Sequence, residues 1–259
     1  MAGCAGCRSG QEDFGLAMAF QPIVDVEEER VVAYEALVRG ASGEGAGAVL
    51  NRVTPENRYA FDQQCRVAAI EQAVEAGIVD TGARLSINFL PNAVYSPVAC
   101  IQLTLKTARA VGMPIDRLVF EFTENERMTD TAHVANIIET YHRMGFSTAL
   151  DDFGAGHAGL GLLAKLQTDV VKLDMELIRG IDASMPRRMI VDGVVRMLDR
   201  MNIGVIAEGV ETVEEYAALR ALGLRYFQGY LFAKPGFRSL PPVTYPQIGS
   251  GADLERVAA

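Results

Sequence analysis

Ile203-Gly204-Val205-Ile206-Ala207-Glu208-Gly209-Val210-Glu211-Thr212-Val213-Glu214-Glu215 reads as a strand that runs straight into a capped helix. The apolar run Ile203 to Ala207 suits a buried strand. Thr212 followed three residues later by Glu215 has the spacing of a capping box, in which hydroxyl and carboxylate satisfy each other's backbone N–H groups. Strand, polar turn, cap and helix in that order is the βα unit of a parallel sheet.

The same order recurs outward in both directions. The β-rich runs are Phe20 to Val24, Val31 to Arg39, Leu85 to Phe89, Leu118 to Thr123, Phe146 to Asp151, Val170 to Leu173, Ile203 to Ala207 and Arg225 to Gln228. Between them Phe61, Cys65, Ala68, Ala69 and Ala73 recur at helical spacing, as do Ile190, Val194, Leu198 and Met201. Only Asp25 to Arg30 separates the first two runs, too short for a helical crossover, so they are expected to pair as an antiparallel hairpin. The expected fold is α/β, a modified TIM (β/α)8 barrel with one antiparallel strand near the N-terminus. Residues 1–15 and 243–259 read as small, polar tails on a single domain spanning 16–242.

A chain of 259 residues with 49% hydrophobic and 22% charged side chains can bury a core of that size. Its net charge of −9 disfavours a nucleic-acid polymer or an anionic membrane surface as partner. An anionic ligand would need local cations to reverse the field. Four scattered cysteines, no secretory leader and no apolar run near the ~20 residues of a membrane span point to a cytoplasmic protein without direct membrane contact. Cys4 and Cys7 could form half a metal or redox site, but no second pair exists, and a tail is the simpler reading.

Polar residues end the apolar runs: Glu35, Asn88, Glu121, Asp151 with Asp152, Lys172, Glu208 and Gln228. In a barrel the active site is built from strand C-terminal ends. Strand parity puts Glu121 on the face of Val119, Asn88 on that of Ser86, Asp151 on that of Ala149, Lys172 on that of Val170 and Glu208 on that of Ile206. All would converge at the barrel mouth. Taken singly, each carboxylate is better explained as a surface or salt-bridged residue; together they are not. Five converging carboxylates with one lysine need cations between them, and an all-oxygen ligand set suits Mg²⁺ or Mn²⁺. Two ions would suit phosphodiester hydrolysis.

Gln21-Pro22-Ile23, Glu35-Ala36-Leu37-Val38-Arg39, Ser86-Ile87-Asn88, Glu121-Phe122-Thr123-Glu124, Asp151-Asp152-Phe153-Gly154, Lys172-Leu173-Asp174, Glu208-Gly209-Val210-Glu211 and Gln228-Gly229-Tyr230 occur in order, and this succession resembles the EAL-domain cyclic-di-GMP phosphodiesterases. The resemblance implies hydrolysis of cyclic-di-GMP to linear 5′-pGpG with two Mg²⁺ or Mn²⁺ ions, in a homodimer. It implies Glu35, Asn88, Glu121 and Asp151 around one ion, and Asp151, Asp152 and Glu208 around the other. Lys172 would touch the attacking water or phosphate, and Glu208 would also be general base unless a metal-bridged hydroxide takes that part. Glu35, Lys172 and Glu208 are thus the catalytic candidates. Gln21, Leu37, Arg39, Asp174, Glu211 and Gln228 would border or support the substrate, with Arg39 a fork for a phosphate oxygen. Glu124 would anchor the glycine-rich loop after Asp152, where Ala155, His157 and Ala158 depart from the usual pattern.

Two other readings stand beside this one. A barrel enzyme using carboxylate-bound Mg²⁺ and a lysine base for proton abstraction is disfavoured by the paired Asp151 and Asp152. A catalytically silent cyclic-di-GMP receptor would bind nucleotide without metal and turn nothing over.

Overall fold

The computed structural model describes residues 13–123, 130–155 and 159–247. Cys4, Cys7, Glu124, His157 and most of both expected tails lie outside those residues. In chain order the elements are β1 Leu16–Asp25, β2 Arg30–Gly40, α1 Ala46–Leu50, α2 Arg58–Glu75, α3 Ile78–Thr81, β3 Arg84–Asn88, α4 Pro97–Cys100, α5 Gln102–Val111 and β4 Leu118–Thr123. They continue with α6 Thr131–Arg143, β5 Ser147–Phe153, α7 Gly159–Leu163, β6 Val170–Leu173, α8 Met175–Ile178, α9 Met185–Arg200, β7 Gly204–Ala207, α10 Val213–Ala221, β8 Tyr226–Phe227 and β9 Gly236–Phe237.

The strands close into a barrel in the order β2-β3-β4-β5-β6-β7-β8-β1, with β1 returning to β2 and the short β9 added at β1. Strand β1 is antiparallel to both β2 and β8, while β2 through β8 are mutually parallel. The reversed strand follows from the short Asp25–Arg30 connection. Asp25 builds that turn: its Oδ1 accepts the N–H groups of Glu27 and Glu28 at 3.0 and 3.3 Å.

Strand alternation sorts the side chains as the sequence predicts. Ile87, Phe89, Phe120, Phe122, Leu150, Val171, Leu173 and Ala207 join the helices in one continuous core, and Ile23, Ala33 and Ile206 fill the barrel interior. Helix α2 buries Phe61, Ala69, Ile70 and Ala73 along one stripe. Helix α10 opens with the expected capping box of Thr212 and Glu215. In α9 the core stripe is Val191 and Leu198, flanked by Val194 and Val195; Ile190, expected inside, is 53% exposed because it lies about 100° around the helix from Val191.

Packing reaches beyond the 16–242 boundaries. Phe14 stacks edge-on against Phe61 with ring centroids 5.2 Å apart, and Val243 and Tyr245 pack against the main core. Among the described residues no helix is long and apolar enough to cross a membrane.

Candidate metal and phosphodiester site

Each strand end delivers its polar residue to the mouth, and Lys172 lies at their centre. Its Nζ is 2.6 Å from Glu208 Oε1, 2.9 Å from Glu121 Oε2, 3.2 Å from Glu35 Oε2 and 3.3 Å from Asp151 Oδ1. Lys172 is fully buried, so these carboxylates are its only compensation among the described residues. Asn88 Nδ2 donates to Glu35 Oε1 at 2.9 Å, Gln228 Nε2 donates to Glu35 Oε2 at 2.8 Å, and Ser86 Oγ donates to Glu121.

Asp151 and Asp152 are neighbours in a strand, where alternation would send them to opposite faces. The pairing of β5 with β6 prevents this. Leu150 opposes Val171 and Phe153 opposes Leu173, so two aspartates stand across from the single Lys172. This is a β-bulge, rare between parallel strands, with Asp152 in the left-handed region at φ 55°. Phe153 is thereby returned to the outer core. Carboxylate oxygens of Glu35, Glu121 and Asp151 lie within 4.8 Å of one another, as do those of Asp151, Asp152 and Glu208. The two groups share Asp151.

The electrostatics are unbalanced. One ammonium faces five carboxylates, and burial opposes every charge. Burial pushes the Glu121 carboxyl up to about 8, with Glu35 and Asp151 adding to the shift against the pull of Lys172. Burial likewise raises Glu208 well above the carboxylate range, reinforced by Asp151 and Glu35. For Glu35 burial also works upward, but Lys172, Gln228 and Asn88 outweigh it and hold the group low. Burial would lower Lys172; Asp151, Glu121, Glu208 and Glu35 overcome it and hold the ammonium protonated. A site that is short of positive charge, lined by oxygen, and arranged as two overlapping triads fits hard divalent cations.

The remaining sequence candidates surround this centre unevenly. A cavity of about 250 Å³ at the mouth is lined by Gln21, Asp174, Glu211, Gln228 and Tyr230 together with Glu35, Asp152 and Glu208. Gln21 Nε2 donates to the Ala233 carbonyl at 3.4 Å, and among the described residues the buried Oε1 of Gln228 has no hydrogen-bond partner. Asp174 caps α8 by accepting from Glu176 N–H at 2.7 Å. Glu211 is ion-paired with Arg179. Leu37 and Arg39 line a different cavity, of about 290 Å³, between the β2 and β3 ends and α1 and α2; Asn88 borders it too. There Arg39 Nη1 donates to the Val38 carbonyl at 2.8 Å.

Four contributing residues escaped the sequence reading. Ser86 was placed on the inner face but not as a donor to Glu121. Glu215 was read only as a cap, yet its Oε1 also accepts Gly180 N–H at 3.1 Å while its Oε2 accepts Glu211 and Thr212 N–H, tying the Glu208 loop to the end of α8. Asp62 and Arg66, buried on α2, carry no sequence signal beyond their position on an otherwise apolar stripe.

Residues 8–235 match the EAL domain family. The chain belongs to that family. It is 31% identical over 88% of its length to the "Blue light- and temperature-regulated antirepressor BluF" of Escherichia coli, covering 56% of that protein. It is 30% identical over 84% of its length to "Probable cyclic di-GMP phosphodiesterase PdeN" of the same organism, covering 43% of it. The chain thus spans about half the length of these curated relatives. Among solved structures it resembles a standalone EAL protein from Vibrio cholerae in its c-di-GMP-bound form, at TM-score 0.86 and 50% identity, covering 90% of this chain and 97% of that one. It also resembles a manganese and cyclic-di-GMP complex of Klebsiella pneumoniae BlrP1, at TM-score 0.81 and 34% identity, covering 86% and 57% of the two chains. The eight-stranded barrel with its single reversed strand is the EAL domain fold.

Proposed function

We propose that this EAL domain is a phosphodiesterase that hydrolyses cyclic-di-GMP to linear 5′-pGpG with two divalent ions, Mg²⁺ or Mn²⁺. The observation that carries the reading is the pair of carboxylate triads overlapping at Asp151 around a deficit of positive charge. The solved relatives that hold cyclic-di-GMP, one of them with manganese, support the choice of substrate and metal class. Glu35, Asn88, Glu121 and Asp151 would hold one ion, and Asp151, Asp152 and Glu208 the other. Bound there, the ions would polarise the phosphate and stabilise the attacking and leaving oxygens.

The chain's own residues do the rest. Glu208, at the mouth beside Asp151 and Asp152, takes a proton from the attacking water as general base. The water oxygen bonds to phosphorus, the bond from phosphorus to the ribose 3′ oxygen breaks, and that oxygen becomes the 3′ hydroxyl of pGpG by taking a proton from solvent, to which Glu208 returns the one it took. Lys172, central among the carboxylates at the mouth, would donate to the phosphate or the water. Gln228 and Gln21 face the substrate at the mouth, Asp174 and Glu211 border it, and Leu37 and Arg39 meet it from the side of Asn88. The protein acts in the cytoplasm as a homodimer.

Incubation with cyclic-di-GMP in the presence of Mg²⁺, Mn²⁺ or chelator, followed by chromatography, tests the reading: pGpG forms with either metal and not with chelator. Similarity to the antirepressor BluF favours a second reading, a signalling module that binds the nucleotide without cleaving it. Nucleotide binding with no product under any metal condition would select it.

A further inference from the structure

Behind the barrel wall, in a layer built mainly of apolar side chains, α2 buries an ion pair. Asp62 and Arg66 are 2% and 0% exposed, and Arg66 Nη2 lies 2.7 Å from Asp62 Oδ2. Arg66 Nη1 donates to the Tyr141 hydroxyl at 3.1 Å, and its guanidinium lies over the rings of Phe89 and Phe120 at 5.4 and 5.5 Å. Among the described residues its Nε has no hydrogen-bond partner. Such a pair is a poor way to hold a helix to a sheet, because well-packed apolar residues in its place are commonly as stable or more so. Its use lies elsewhere.

The free oxygen of the pair, Asp62 Oδ1, accepts the backbone N–H of Leu90 at 2.9 Å. Leu90 follows Asn88 by two residues, and the intervening Phe89 N–H is held by the Glu121 carbonyl at 2.9 Å. The chain leaving β3 is therefore tied at two successive amides, one to β4 and one to α2. Packing on the α2 side is incomplete: Leu90 rests against the cluster of Phe14, Val49 and Phe61, but Asn88, Phe89, Leu90 and Asp62 all border the cavity of about 290 Å³. We infer that Asp62, fixed by Arg66, is a positioning residue that sets Asn88 against Glu35 and so completes the metal-binding end of the site. This rests on the reading of Asn88 as a ligand.

The experiment measures Mn²⁺ binding to the purified full chain without nucleotide, from the electron paramagnetic resonance signal of free Mn²⁺, with thermal melting in parallel. The variant Asp62→Leu/Arg66→Met removes both charges and keeps the bulk. It is expected to melt close to the parent and to bind Mn²⁺ about 10- to 100-fold more weakly, the range found when groups supporting metal ligands are lost. Asp62→Asn/Arg66→Met restores an acceptor for Leu90 without charge and should recover most of the affinity. In an Asn88→Ala background, Asp62→Leu/Arg66→Met should add no further loss.

Parent-like Mn²⁺ affinity in Asp62→Leu/Arg66→Met overturns the inference, as does an equal loss in the Asn88→Ala background, which would mark general damage. If that variant does not fold, Asp62→Ala/Arg66→Met takes its place beside Asp62→Asn/Arg66→Met: the first lacks the acceptor and should bind Mn²⁺ about 10- to 100-fold more weakly, the second should recover most of the affinity, and equal affinities overturn the proposal. Asn88→Ala that binds Mn²⁺ like the parent would remove the ligand reading itself, and this inference with it.

Discussion

Lys172 Nζ sits 2.6 Å from Glu208 Oε1, and this lysine on β6 also bridges Asp151 on the adjacent β5, Glu121 on β4 and Glu35 on β2 across the barrel. Without metal, it is the one cation that holds this cluster together among the described residues. Replacement by an isosteric apolar side chain, Lys172→Met, should destabilise the metal-free protein by about 3–5 kcal/mol, the usual cost of stranding buried charge. Added Mn²⁺ should restore much of that loss. Melting temperatures with chelator and with Mn²⁺ check both halves, and an unchanged metal-free melt would remove the structural part assigned to Lys172.

The shared position of Asp151 makes a graded expectation. Asp151→Asn weakens both triads, whereas Asp152→Asn touches one. Asp151→Asn should therefore lower metal affinity more steeply, by upwards of about 100-fold, since it removes a ligand rather than a supporting group. Calorimetric titration with Mn²⁺ reads the two stoichiometries and affinities directly. Equal losses in the two variants would contradict the sharing.

Asp152 also has a backbone role at φ 55°. Asp152→Val, β-branched, should cost about 1–3 kcal/mol of stability at that conformation, while Asp152→Gly should leave stability nearly intact. Both should lose the second triad. Denaturant unfolding separates the two effects, because only the valine variant changes the midpoint strongly.

Far from the mouth, the hairpin turn should respond to acid. Arg225 donates to Asp25 through Nε at 2.8 Å and Nη2 at 2.6 Å, and together with the Glu27 and Glu28 amides it holds the Asp25 carboxyl below the usual range. The folded-state value lies below the unfolded one, so this stabilisation is present above the unfolded pKa of ~3.9 and is lost as pH falls through the folded value. Asp25→Asn should melt lower than the parent at neutral pH, and the gap should close on acidification below about pH 4. A gap that is constant with pH would assign the turn's stability to hydrogen bonding alone.

Much of the fold was legible because it depends on period. The alternation of Glu121 with Phe120 and Phe122 states which face is inside, and the apolar runs fall within or against all eight barrel strands. The short Asp25–Arg30 link dictated the reversed strand, since no helix fits in it. The capping box at Thr212 needed only local spacing. Ile190 was misassigned because a helical stripe read by eye carries an uncertainty of one residue, which is a quarter turn.

The site was legible in its members and not in its wiring. Polar residues at the ends of apolar strands must converge in any barrel of this order, so Glu35, Asn88, Glu121, Asp151, Lys172 and Glu208 could be named in advance. Parity alone would have sent Asp152 outward. Only the bulge opposite Lys172 brings it in, and a bulge arises from how two strands register, information that neither strand carries alone. The same holds for Arg39, which shares a face with Glu35 yet lies four residues, about 13 Å, farther along β2 and lines another cavity.

Sequence by itself determined the strand order, the reversed β1, the inward face of each strand and the carboxylate-rich chemistry of the mouth, because period, connection length and residue type are local properties. Tertiary structure decided that Lys172 stands at the centre of four carboxylates, that Asp151 and Asp152 act from one side, and that Asp62 on α2 holds the chain beyond Asn88. These are contacts between residues 21 to 137 positions apart or shifts of register between strands. Closing the barrel creates them.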